Sequence, residues 1–105
     1  MSLEIVFDVA GEDPSILHDI ERALPDARVE HLSGLGGLEL IGTILIPSAA
    51  LALQIIAMLR DRRSKKTPTT IVQVHIYEGD RSLTIDARNI VNLETEIAEA
   101  VDKLR

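Results

Sequence analysis

Leu40-Ile41-Gly42-Thr43-Ile44-Leu45-Ile46-Pro47-Ser48-Ala49-Ala50-Leu51-Ala52-Leu53-Gln54-Ile55-Ile56-Ala57-Met58-Leu59 runs for twenty residues without one charged side chain. Membrane span and folded core compete for this run, because about 20 apolar residues in one helix are enough to span a bilayer. The flanks also suit a span. The side preceding the run is acidic, and Arg60, Arg62, Arg63, Lys65 and Lys66 follow it as a positive anchor would. Against a single helix, Pro47 and Ser48 interrupt the run at its middle, Gln54 lies inside it, and Gly42 and Thr43 weaken its first half. The sequence then predicts two shorter helical pieces, Leu38 to Ile46 and Ala50 to about Arg63, kinked apart at Pro47. Leu51, Ile55, Met58 and Leu59 would face a sheet.

The segments on either side favour the folded reading. Leu3, Ile5, Phe7 and Val9 alternate with Glu4, Val6 and Asp8, as in a strand with one buried face. Asp13-Pro14 fits an N-cap and first helical position, and Ile16, Leu17, Ile20, Ala23 and Leu24 recur at helical spacing up to Pro25. Ala27, Val29 and His31 then alternate with Arg28, Glu30 and Leu32, a short strand that enters a loop at Gly34, Gly36 and Gly37. Beyond the apolar run come two strands. Ile71 to Tyr77 sets Val72, Val74 and Ile76 on one face, and Ser82 to Ala87 sets Leu83, Ile85 and Ala87 on one face. Glu78-Gly79-Asp80-Arg81 joins them as a hairpin. Asn92 caps a last helix with Leu93, Ile97, Ala100, Val101 and Leu104 in one stripe. A membrane crossing would place the first strand and the last two on opposite sides of the bilayer. The expectation is therefore one α+β domain over residues 1–105, a small two-layer sandwich in the order β-α-β-α(kinked)-β-β-α. It has a mixed sheet of about four strands and a C-terminal β-hairpin and helix.

Composition narrows the function. The 105 residues are 46% hydrophobic and 27% charged, enough apolar material for a core. One Phe, one Tyr and no Trp leave nothing for a base-stacking platform. The absence of Cys excludes thiolate zinc sites and cysteine nucleophiles, and suits a reducing cytoplasm. Net charge is −6, and five of the eleven basic residues lie between Arg60 and Lys66. Elsewhere 6 basic residues face 16 acidic ones, a surface that repels phosphate backbones, so nucleic acid is not expected as a partner. Met1 to Ala10 lacks the basic and apolar regions of a secretory signal.

Motifs for chemistry are weak. His18, His31 and His75 fall on a helix and two different strands with no pair at i and i+4 spacing, so no metal site is expected. His18-Asp19 are adjacent on a helix and point about 100° apart, a poor base and orienter. No Gly-x-Ser-x-Gly elbow frames a serine. Gly34-Leu35-Gly36-Gly37 stands between a strand and a helical segment, the context of phosphate loops. Glu39 breaks a dinucleotide fingerprint, however, and no Gly-Lys-Ser/Thr follows. Glu94, Glu96, Glu99 and Asp102 form the solvated face of the last helix. The expectation is no enzyme, no cofactor and no metal.

The order of features, with the helical segment ending in Leu59-Arg60-Asp61-Arg62-Arg63-Ser64, resembles the effector-associated constant component family of bacterial conflict systems. The hairpin carries the closest likeness: Val72-Gln73-Val74 leads into Glu78-Gly79-Asp80-Arg81-Ser82-Leu83-Thr84-Ile85-Asp86-Ala87-Arg88. Asp80 between Gly79 and Arg81, Met58 before Leu59 and Pro47 depart from the family pattern. The resemblance implies a noncatalytic component that links effector modules such as peptidases or nucleotide-dependent switches, and it supplies no catalytic residues. Residues and resemblance together predict a cytoplasmic adaptor that binds protein partners through a sheet edge, through Gly34, Gly36 and Gly37, or through Arg60, Arg62, Arg63, Lys65 and Lys66. The alternative is a single-pass membrane protein with residues 40–59 in the bilayer and a cytoplasmic ββα tail. Exposed strand edges leave homo-oligomerisation open.

Overall fold

Among the described residues, three helices cover one face of a five-stranded antiparallel sheet. The computed structural model describes residues 3–10, 15–31, 40–62, 70–87 and 92–104. The elements are β1 (Leu3–Ala10), α1 (Ser15–Ala23), β2 (Arg28–His31), β3 (Leu40–Ile46), α2 (Ala49–Arg62), β4 (Thr70–Glu78), β5 (Arg81–Asp86) and α3 (Leu93–Leu104). The strand order is β2-β3-β1-β4-β5, and every neighbouring pair is antiparallel. The first six elements thus form two split β-α-β units, each leaving room for a strand of the other. β5 extends the sheet through a hairpin and hands the chain to α3.

Two expectations are corrected here. The helix expected over Leu38 to Ile46 is not found in its described part: Leu40–Ile46 is β3, paired with β1 on one side and β2 on the other. Ile41, Thr43, Ile44 and Ile46 are β-branched and lose side-chain freedom in a helix, and a pleated surface accommodates them. Gly42, Ile44 and Ile46 turn inward and are buried, while Thr43 and Leu45 point to the half-exposed opposite face. The sheet is therefore antiparallel with five strands, in place of a mixed sheet of about four. β3 inserts between β1 and β2, which would otherwise lie side by side in parallel. The uncharged run is divided at Pro47-Ser48 between β3 and α2. Among the described residues no helix is long and apolar enough to cross a membrane.

Local chemistry fixes the joints. The Ser48 hydroxyl accepts the Leu51 N–H at 3.2 Å, and the Ser48 carbonyl accepts the Ala52 N–H, so Ser48 is the N-cap of α2. Gly79 has φ +62° at the first central position of the two-residue hairpin loop, and no non-glycine described residue has positive φ. That combination defines a type II′ turn, whose twist matches the flanking strands. Arg81, opening β5, donates to the Leu104 carbonyl at 3.3 Å and holds the C-terminus of α3 against the sheet. Between α1 and β2 the chain turns at Pro25-Asp26, closed by Ala27 N–H to Leu24 O at 3.0 Å.

Burial follows the expected stripes on β1 and α3 and on α1 apart from Ala23, which is exposed, and departs from them on β4 and α2. Ile5, Phe7 and Val9 of β1, Ile16, Leu17 and Ile20 of α1, and Leu93, Ile97, Ala100, Val101 and Leu104 of α3 are all in the core. On β4 the expected face of Val72, Val74 and Ile76 is broken. Asp8 pairs with Gln73 but Val9 pairs with Ile71, so Val72 is the extra residue of a bulge. Ile71 takes the buried place, and Val72 is half-buried. In α2 the buried positions are Ala52, Ile55, Ile56 and Leu59, with Leu51 and Met58 packed at the margin.

Candidate functional site

The outward side of α2 differs from that of the other helices. α1 turns His18, Glu21 and Arg22 to solvent, and α3 turns out Glu96, Glu99, Asp102 and Lys103. α2 exposes Ala50, Leu53, Gln54 and Ala57, at helical spacing and without a charge from Ala49 to Leu59. Leu53, 45% exposed, and Tyr77 are the exposed large hydrophobics among the described residues. A helix that is apolar nearly all round belongs in an interior, so a surface helix of this composition has an uncovered side.

The basic segment begins where this stripe ends. Arg60 is exposed and donates to the Glu94 carboxylate at 2.5 Å, tying the end of α2 to the start of α3. Arg62 lies in the last turn of α2. Its side chain, Arg63, Lys65, Lys66, and Gly34, Gly36 and Gly37 lie outside the described residues, as does the proposed Asp13 cap. One expected partner contact, Arg60, thus already has an internal partner. Both members of the pair are partly solvated, so Arg60→Glu should cost only about 0.5–1 kcal/mol in urea unfolding, and Arg60→Glu/Glu94→Arg should recover most of it. A loss above about 2 kcal/mol would show that the pair carries the α2–α3 interface.

The face of the sheet opposite the helices carries a second constellation. His75 on β4 bonds Asp8 Oδ2 of β1 through Nε2 at 3.0 Å, and its Nδ1 lies 3.1 Å from Thr84 Oγ1 of β5. The three side chains bridge neighbouring strands. An Asp-His-hydroxyl row is the arrangement of a nucleophilic triad, but that chemistry also needs donors for an oxyanion beside the hydroxyl. Thr84 is exposed in the middle of β5, which pairs with β4 on one side and ends the sheet on the other. The row acts as a polar cross-link of three strands. A groove of about 330 Å³ at one end of the sheet is lined by Leu3, Glu4, Asp26, Arg28, Leu45, Ile46 and Pro47.

A third cluster was not legible in the sequence. His18 and Glu21 on α1 meet His31 on β2: His31 Nε2 lies 2.6 Å from Glu21 Oε1, and His18 Nδ1 lies 4.0 Å from the same oxygen. The two imidazole centroids are 4.7 Å apart with planes inclined by 32°. Spacing along the chain gave no hint of this, because the α1–β2 turn, and not an i, i+4 repeat, brings the histidines together.

Against known proteins the chain finds no counterpart: no protein-family model, no curated protein and no solved structure matches it.

Proposed function

We propose that this protein is a noncatalytic adaptor that docks a partner helix on the outward side of α2. The observation that carries the reading is the uncharged, exposed stripe of Ala50, Leu53, Gln54 and Ala57 leading into a basic cluster. Small alanines beside one Leu leave a shallow groove with a central knob, the geometry in which an amphipathic helix seats. Arg60, Arg62, Arg63, Lys65 and Lys66 select a partner with acidic residues next to its apolar stripe. A second copy of the chain is less well matched. Parallel α2 helices would set one basic cluster against the other, and antiparallel ones would set it beside the partially positive start of α2. The likeness of the hairpin to the effector-associated constant components suggests that the partner is an effector module of a bacterial conflict system, met in the cytoplasm.

The test is co-purification from the native host with the full chain as bait. Leu53→Glu, or Arg60→Glu/Arg62→Glu/Arg63→Glu, should remove the same partner without lowering the melting temperature by more than about 8 °C. Glu99→Lys on α3 should retain it. A partner captured equally by all variants would eliminate α2 as the docking face. Light scattering that shows a Leu53-dependent dimer would replace the heterologous partner with a second copy.

A further inference from the structure

We propose that His18, Glu21 and His31 form a binding site for a divalent transition ion of the zinc class, clipping α1 to the edge strand β2. Two imidazole nitrogens and one carboxylate are a donor set that favours Zn²⁺, Ni²⁺ or Cu²⁺ over Mg²⁺ and Ca²⁺, which prefer oxygen alone. The three candidate ligand atoms lie within 4.8 Å of one another. Tetrahedral zinc, with bonds of about 2.0–2.1 Å, spaces its ligand atoms about 3.3 Å apart. The Glu21–His31 contact at 2.6 Å must open and the Glu21–His18 separation at 4.0 Å must close, each by less than an ångström, and the two imidazole nitrogens, up to 4.8 Å apart, must approach by about 1.5 Å through side-chain rotation.

The frame beneath these side chains is fixed while their tips are free to adjust. All three are exposed, whereas Leu17 and Ile20, their neighbours on α1, are fully buried. The turn between the two elements is closed by the Leu24–Ala27 backbone bond, and β2 is held in register on β3 with His31 opposite Gly42. The chain thus pays for positioning the donors by folding its core. The hydrogen bonds available without an ion do not use the cluster fully. At 4.0 Å His18 Nδ1 is too far from the carboxylate to bond it, although the ring is already stacked against His31. A cation between the three atoms would bond both rings and the carboxylate. Three protein ligands would leave an open coordination position on the solvent side for water or a donor from another molecule.

The experiment is titration of the full chain, free of any histidine tag and stripped with chelator, with ZnCl₂ in a non-coordinating buffer. One ion per chain is expected, with a dissociation constant in the micromolar range and a rise of several degrees in melting temperature at tenfold excess over that constant. His18→Ala and His31→Ala should each weaken binding at least about tenfold, and MgCl₂ should produce no shift. His75→Ala should bind zinc as well as the unmodified chain. Cobalt should give the visible spectrum of a nitrogen- and oxygen-ligated ion, lost in His18→Ala/His31→Ala, a readout independent of stability. Absence of saturable binding below millimolar zinc would overturn the proposal. So would binding that survives His18→Ala/His31→Ala. Neither outcome touches the docking face on α2, whose test uses different residues and readout.

Discussion

Phe7→Ala is expected to remove about 4 kcal/mol of stability, lowering the urea midpoint by about 2.5 M at a slope of about 1.5 kcal/mol/M. Phe7 is the single phenylalanine of the chain and is completely buried. It sits on the central strand, opposite Ile44 of β3 on one side and Val74 of β4 on the other. Its ring therefore fills space that aliphatic neighbours, anchored in two ladders, cannot collapse to refill. Domains of this size are stable by about 5–15 kcal/mol, so the variant loses between about a quarter and most of that stability. Phe7→Leu keeps much of the volume and should cost about 1.5 kcal/mol or less. A loss for Phe7→Ala no larger than for Phe7→Leu would mean that the core beneath β1 relaxes freely, contrary to packing of the kind described.

Where the sequence carried contrast, the fold was legible. β1, α1, β5 and α3 each set apolar residues against polar ones at a clear period, and their buried residues follow it. β3 failed because contrast is absent there: Ile44-Leu45-Ile46 is apolar on both faces, and Leu45 is half-exposed on the open side of the sheet. The remaining signal was β-branching, with four such residues among the seven of Leu40–Ile46. One misread strand also changed the sheet, because β3 is what separates β1 from β2. The bulge at Val72 was illegible for a different reason. Ile71 and Val72 are both good inward residues, and only the pairing with β1 decides between them.

The candidate sites divide in the same way. The basic cluster from Arg60 to Lys66 was visible as a charge run, but the uncharged outward stripe before it was hidden inside a segment that looked apolar throughout. Only the helix register separates Leu53 and Ala57, which face out, from Ile55 and Ile56, which face in. The His18–Glu21–His31 and Asp8–His75–Thr84 groups both join residues from different elements. Of the first, His18 was weighed from the sequence only against Asp19, because the meeting with His31 depends on where β2 docks.

Gly42→Ala is expected to lower the melting temperature by about 10–20 °C and, in the chain that remains folded, to weaken zinc binding as well. A Cβ at Gly42 would lie 2.5 Å from the Glu30 carbonyl oxygen and 2.7 Å from Leu17 Cδ1. Leu17 is fully buried and has little room to turn away. The Glu30 carbonyl belongs to the backbone of β2 and can retreat only if the strand moves. Replacing a strand glycine by alanine ordinarily helps, by roughly 0.4–1 kcal/mol through the unfolded chain. Here overpacking against backbone reverses the sign and should cost about 2–3 kcal/mol. The same displacement reaches the metal cluster. Leu17 adjoins His18 on α1, and His31 pairs with Gly42 itself, so pushing α1 and β2 outward separates the donors. Gly79→Ala provides the control, since its φ of +62° makes alanine strained at the far hairpin although a Cβ there meets nothing within 4 Å. It should lose about 1 kcal/mol and bind zinc unchanged. If both variants are destabilised but bind zinc equally well, the packing of α1 over Gly42 does not position the cluster. An unchanged melting temperature for Gly42→Ala would mean that β2 and α1 do not approach β3 as closely as the register requires.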